Sequence, residues 1–134
     1  MFGALDTSTS ALVAQRQRLT IIAGNMANRF SVYDPDGNVA PYQRRIPVFA
    51  PGDPGTGSER GVHITEIALD DRPPRKVFEP GHPAADPDGY VHYPDIDPSV
   101  EMVNAIEATR AYEANIAVAE ATKSMMQTSM RLLG

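Results

Sequence analysis

The sequence predicts an α+β protein: long amphipathic helices at both chain ends, coiled-coil-like in pattern, with a small β-rich module inserted between them. Three observations predict it. All twelve prolines fall between Pro35 and Pro98, and a proline ring inside a helix removes a hydrogen bond and clashes with the preceding turn. Both proline-free ends carry apolar residues at helical spacing. The middle instead alternates short apolar runs with Gly and Pro turn signals. The chain therefore divides into residues 1–33, 34–97 and 98–134.

In the first segment Leu5, Leu12, Leu19 and Met26 recur every seven residues, with Ile22 between them. That interval draws one seam along a helix of about six turns. Asp6, Thr7 and Ser8 offer N-capping side chains near its start. Asn25 and Asn28 mark its end, because Asn tolerates the left-handed conformation that closes helices. Ser8 and Gln15 stand at alternate seam positions where a strong coiled coil would have Leu, so this helix depends on its neighbours.

The last segment has the stronger pattern. Pro98 or Ser99 starts it, Glu101 suits the positive end of the helix dipole, and Gly134 ends it. Steps of three and four give Met102, Ala105, Thr109, Tyr112, Ile116, Ala119, Lys123, Met126, Met130 and Leu133, with Ile106 beside them. Glu107–Arg110 and Glu120–Lys123 are i,i+3 ion pairs on its surface. Such a helix runs roughly 50 Å, longer than a compact domain of this size requires. Met125, Met126 and Met130 supply adaptable packing side chains.

The middle reads as four short strands, Ile46–Ala50, Val62–Leu69, Lys76–Phe78 and Tyr90–Tyr93, separated by turns such as Asp36-Gly37, Pro80-Gly81 and Asp88-Gly89. Residues Pro51–Gly61 read as a flexible loop. Strands so short and so often bordered by Pro form no large sheet.

Composition narrows the chemistry. Without Cys there is neither a disulfide framework nor a thiolate metal site. The net charge of −5 sits in the middle: residues 1–33 sum to +2, residues 34–98 to −6 and residues 99–134 to −1. That is the wrong sign for nucleic-acid binding. No Lys or Arg precedes Arg16, so no cleavable signal peptide is expected, and no apolar run reaches the length of a membrane span. His63, His82 and His92 lack the spacing of helical metal ligands. Asp34, Asp36, Asp86, Asp88, Asp95 and Asp97 lie among Pro and Gly as solvated turn residues, without the terminal Glu of an EF-hand. There is no nucleophile elbow, P-loop or dinucleotide fingerprint. The expectation is a non-enzyme with no cofactor, metal, nucleic acid or small-molecule substrate, working through helix packing. Its packing residues are Leu5, Leu12, Leu19, Ile22, Met26, Met102, Ala105, Ile106, Tyr112, Ile116, Met126, Met130 and Leu133. A small soluble coiled-coil binding module is the alternative. A hydrolase using His82 or His92 with a nearby Asp has almost nothing in its favour.

Four separated motifs carry a family resemblance. They are Ala11–Gln15 with Arg18-Leu19 and Asn25-Met26-Ala27-Asn28; Ser31–Gly37 with Pro41–Arg45; Pro73–Asp86 with Gly89-Tyr90-Val91; and Glu101–Asn104 with Ala108–Asn115, ending at Lys123–Met126. In this order they resemble the flagellar basal-body rod protein family, and its proximal-rod members in particular. The resemblance marks Asn25, Ala27, Asn28, Arg110 and Asn115 as family-motif residues. It implies a structural subunit of the bacterial rod, the drive shaft that crosses the periplasm, with terminal helices forming the shaft's inner tube and the central module facing outward. The partners it implies are further copies of the chain, other rod proteins, the junction with the membrane ring, and the flagellar type III apparatus, which exports such proteins without a cleaved signal. Seam residues left uncovered in a free chain further predict poorly ordered termini before assembly.

Overall fold

The computed structural model describes residues 2–134. Its elements are helix α1 (Phe2–Ala27), strands β1 (Arg45–Asp53), β2 (Ser58–Leu69), β3 (Arg75–Phe78) and β4 (Tyr90–Tyr93), and helix α2 (Pro98–Leu133). The α+β class and the order of elements match the sequence reading.

Helix α1 is under way well before Asp6, so Asp6, Thr7 and Ser8 lie inside it and do not cap it. The Thr7 hydroxyl instead donates to the Gly3 carbonyl one turn back (2.8 Å). Its other end falls at Ala27, so Asn25 lies inside the helix. Neither Asn25 nor Asn28 takes the left-handed conformation expected of them, since only glycines have positive φ among the described residues. Asn28 donates its side-chain amide to the Gly24 carbonyl (2.9 Å), and its Oδ1 accepts from the Ser31 hydroxyl (3.0 Å). Helix α2 has a built start: Asp97 is extended, its carboxylate accepts from the Ser99 N–H (2.8 Å), and Pro98 fills the first turn. There the missing N–H costs nothing.

The two helices run antiparallel within one chain. Arg18 meets Glu107 and Asn25 meets Glu101, so residue numbers rise along α1 as they fall along α2. With 26 residues against 36, α1 is about 39 Å long and α2 about 54 Å. The last turns of α2 therefore project beyond Phe2.

On its other side α1 lies along the β1–β2 hairpin, so it is held between a helix and a ribbon. The contact is close. The Val62 N–H donates to the Ser10 hydroxyl (3.1 Å), which satisfies a donor on the outer edge of β2. Gly61 beside it has φ +95°, and a Cβ there would stand 2.5 Å from Ser10 Oγ. Only glycine suits both demands.

The hairpin corrects the reading of Pro51–Gly61 as a flexible loop. Strand pairing runs from Arg45↔Leu69 to Asp53↔Ser58 with two irregularities, leaving only Pro54–Gly57 as a turn. Asp53 organises that turn, its carboxylate accepting from the Gly55 N–H (2.8 Å) and the Thr56 hydroxyl (3.0 Å). Composition hid this because Pro47 and Pro51 are tolerable where a strand's N–H would face away from its only partner. They blunt the free edge of β1 against unwanted pairing. Strands β3 and β4 form a second two-stranded sheet. It covers a small core of Val32, Ala84 and Val91, with Ala85 and Tyr93 against it.

Candidate assembly interface

The site has two parts, a polar knot where four segments meet and the surface of α2 that none of the other described residues covers. Asn25 is the centre of the knot and is 1% exposed. At the end of α1 it acts as a strand would. Its Oδ1 accepts from the Arg45 N–H (2.9 Å), and its amide donates to the Arg45 carbonyl (2.9 Å), fixing the start of β1. The Tyr42 hydroxyl donates to the same Oδ1 (3.0 Å), and burial raises the Tyr42 pKa, which keeps that proton in place. The Asn25 amide also reaches Glu101 Oε2 (3.3 Å).

Glu101 is itself 1% exposed, on the first turn of α2. Arg44 Nε donates to its Oε1, so the buried carboxylate has a cationic partner as its desolvation demands. Arg44 in turn approaches Asp70 (3.8 Å), which Arg72 grips through two nitrogens. The Arg72 hydrogen bonds hold the Asp70 carboxyl below its ordinary pKa. Arg72 continues to Asp95 (3.3 Å). The knot thus joins the end of α1, the start of β1, the end of β2 and the start of α2.

The face of α2 turned to α1 differs from the predicted seam. Its buried and half-buried positions are Glu101, Asn104, Ala105, Ala108, Ala111, Tyr112, Asn115, Ala119, Thr122, Met126 and Ser129. Ala105, Tyr112, Ala119 and Met126 are shared with the sequence reading. The alternate positions are shifted by one residue, so Met102, Ile116 and Met130 do not face α1, and neither do Ile106 and Leu133. They are 55%, 36%, 64%, 48% and 90% exposed respectively. Steps of three and four through apolar residues do not say which helix covers them, and α1 and α2 meet mostly through small ones. On α1, Ile22 is buried and Leu5, Leu12, Leu19 and Met26 are half-buried. Ser8, read as a gap, is buried, and Gln15 buries its Oε1 in the same face.

Of the family-motif residues, Asn25 and Asn28 have the structural tasks described. Ala27 and Arg110 are exposed, and Asn115 donates back to the Ala111 carbonyl (2.8 Å). Sequence reasoning saw Glu101 only as a favourable first-turn charge and missed Tyr42 and Arg44. A signal was present, because Glu101 keeps step with Ala105 and Ala108 and so belongs to the buried stripe.

The histidines serve locally. His63 Nδ1 bonds the Gly52 carbonyl (2.9 Å), His82 Nδ1 accepts from the Ala84 N–H (3.0 Å), and His92 pairs with Asp86 (3.1 Å). Asp86 meanwhile accepts from the Asp88 and Tyr90 N–H groups, tying its turn.

What remains is an outward surface of α2 rich in large apolar side chains. Val103, Val118, Met125 and Leu132, at 64%, 52%, 58% and 82% exposure, join those named above. Helical spacing puts Met102, Ile106 and Ile116 on one flank of the buried stripe and Val118, Met125 and Leu132 on the other. A helix apolar on several faces belongs in an interior. In this chain alone it has one neighbouring helix.

Known proteins supply the context for that surface. Residues 88–132 match the family model for the flagellar basal body rod FlgEFG protein C-terminal region. The chain is 45% identical to the flagellar basal-body rod protein FlgC of Yersinia enterocolitica, over 95% of this chain and 93% of that protein. It is 44% identical to FlgC of Salmonella typhimurium, again over 95% and 93%. With FlgC of Bacillus subtilis the identity is 33%, over 98% and 97%. At such identity across nearly the full length, this chain belongs to the FlgC family of flagellar basal-body rod proteins.

Proposed function

We propose that this structural rod protein builds the basal-body rod by burying the outward faces of α2, and the half-buried leucine flank of α1, against further copies and other rod subunits. The observation that carries the proposal is the exposure of Met102, Val103, Ile106, Ile116 and Val118 along one helix. An apolar side chain moved from water to an interior contributes about 1.5–3 kcal/mol, so a handful per chain offsets a substantial ordering cost. Torque transmission asks for such a repeated, shear-resistant interface and for no catalytic step. Passage of the rod across the periplasm, its junction with the membrane ring and export through the type III apparatus belong to the same proposal.

The test is circular dichroism and sedimentation over a wide concentration range, on the full chain and on a version lacking residues 1–30. Helicity of the full chain is expected to rise as it associates, and the trimmed version is expected to stay small. A chain fully helical when dilute that never associates would instead favour the coiled-coil module. The folding back of α2 on α1 is the one observation on that side.

A further inference from the structure

On the α2 side the seam with α1 is built mostly from small residues. They include Ala105, Ala108, Asn115, Ala119 and Thr122, with only Tyr112 and Met126 large among the positions after Glu101. The α1 face that carries Asn25 and Arg18 also carries Ser8, Ala11, Gln15 and Ile22, with the half-buried Leu5, Leu12, Leu19 and Met26 along its flank. Sliding one helix past the other by a heptad leaves small residues in the row Ala108, Asn115 and Thr122. In the row Ala105, Tyr112, Ala119 and Met126 it exchanges large for small, so packing shape discriminates between neighbouring registers in one row of the two.

One end of the seam discriminates strongly. Glu101 enters a buried cage closed by Arg44 Nε and the Asn25 amide, and Asn25 is committed to both backbone groups of Arg45. A slip of one heptad withdraws the carboxylate and leaves the cage an alanine or nothing. Arg44 would lose its closest carboxylate partner and Asn25 its bond to α2. Buried polar groups are best attested as devices that specify register. Arg18–Glu107 is a poorer candidate, because Glu107 is largely exposed.

We propose that Glu101 sets the register of the helix pair, with Asn25 and Arg44 as its receptor. It is a positioning residue for assembly. The register decides how far Met130, Leu132 and Leu133 project beyond α1, and which residues of the two helices lie side by side on the outer surface. The register claim rests on the fold, and its consequence for assembly rests on the rod function proposed above.

The chain has no cysteine, so spin labels can be placed at Ala23→Cys on α1 and Gln127→Cys on α2, both exposed. Labelled chain diluted into an excess of unlabelled chain reports distances within one molecule, free or assembled. Each heptad of slip moves the label on α2 by about 10 Å along the axis. The wild-type cage is expected to give one distance. Glu101→Gln, which keeps the length and an acceptor, is expected to keep that distance. Glu101→Leu is expected to retain its helicity yet split the distribution into peaks roughly 10 Å apart. Asn25→Leu probes the same cage from α1 and should split it likewise. A single unshifted distance in both leucine variants would overturn the proposal. So would several distances in the wild type, or loss of helicity in both variants, which would make the cage a plain stabiliser. A wild-type chain with one distance that never associates would count against the rod proposal while leaving the register claim intact.

Discussion

The two sides of α2 invert the usual arrangement of an amphipathic helix. The side against α1 offers mostly alanines, a threonine, an asparagine and a buried glutamate, with Tyr112 and Met126 the large exceptions, whereas the side away from it offers methionine, valine, isoleucine and leucine. A monomeric domain would have these reversed, since its own core gains most from the largest apolar groups. The difference teaches what the helix is shaped for. Small residues let α1 and α2 approach closely and leave the larger side chains exposed, the surface that the proposed rod function uses. Among the described residues the buried apolar side chains are correspondingly modest in size, Ile22, Val32, Val91 and Ile96 being the largest.

The contrast can be broken from either side, and the outer side should break hardest. Replacing Ile106 and Ile116 together by Asp removes two apolar contacts worth about 1.5–3 kcal/mol each, so association should weaken by about a hundredfold or more. Sedimentation would read this, while the melting of the dilute chain should move little, as exposed substitutions usually shift stability by less than about 0.5 kcal/mol. On the inner side, Ala108→Leu should destabilise the helix pair by about 1–3 kcal/mol through overpacking, because Ala108 is 0% exposed. Ala117→Leu, on the outer surface of the same helix, should not. Equal melting temperatures for the two variants would contradict the assignment of faces.

The knot and the cap sharpen the picture with smaller effects. Asn25→Ala strands the Arg45 N–H and one bond of Glu101, and should cost about 1–3 kcal/mol in thermal or denaturant unfolding. Asp97→Ala removes the N-cap of α2 and should cost about 1 kcal/mol, read as fraying of its first turn in hydrogen exchange. The smallest effect concerns pH. The Tyr90 N–H, followed by His92, holds the Asp86 carboxyl below its ordinary pKa. A carboxylate depressed in the folded state stabilises at pH above its unfolded value and loses that contribution as pH falls through its folded value. The gap in melting temperature between the wild type and Asp86→Asn should therefore be present at neutral pH and close in acid. A gap that persists in acid would exclude this linkage.

Much of the architecture was legible because proline and heptad spacing are local signals. The distribution of Pro35 to Pro98 delimited the helices, and Tyr90–Tyr93 was read to the residue. What escaped were properties set by a neighbour. Residues Pro51–Gly61 look like a loop until Asp53 ties the turn and β2 supplies a partner. The face of α2 against α1 lies one residue from the spaced apolar seam at alternate positions, because spacing does not say which neighbour covers a face. Side-chain size reports which face is buried in the final assembly, and periodicity alone does not say against what. Glu101 escaped for a similar reason, since a carboxylate looks buried only when Arg44 and Asn25, distant in sequence, are seen around it.

The most direct test of the account is protection of single cysteines, which this cysteine-free chain allows without background. Ile116→Cys samples the outer surface of α2 and Ala108→Cys its inner seam, and each is challenged with a thiol-reactive maleimide in the dilute chain and after assembly. Cysteine at 116 should react readily when dilute and become protected on assembly, while cysteine at 108 should react slowly in both states. A position 116 that stays reactive in assembled rods would contradict the claim that other subunits cover the outer face of α2.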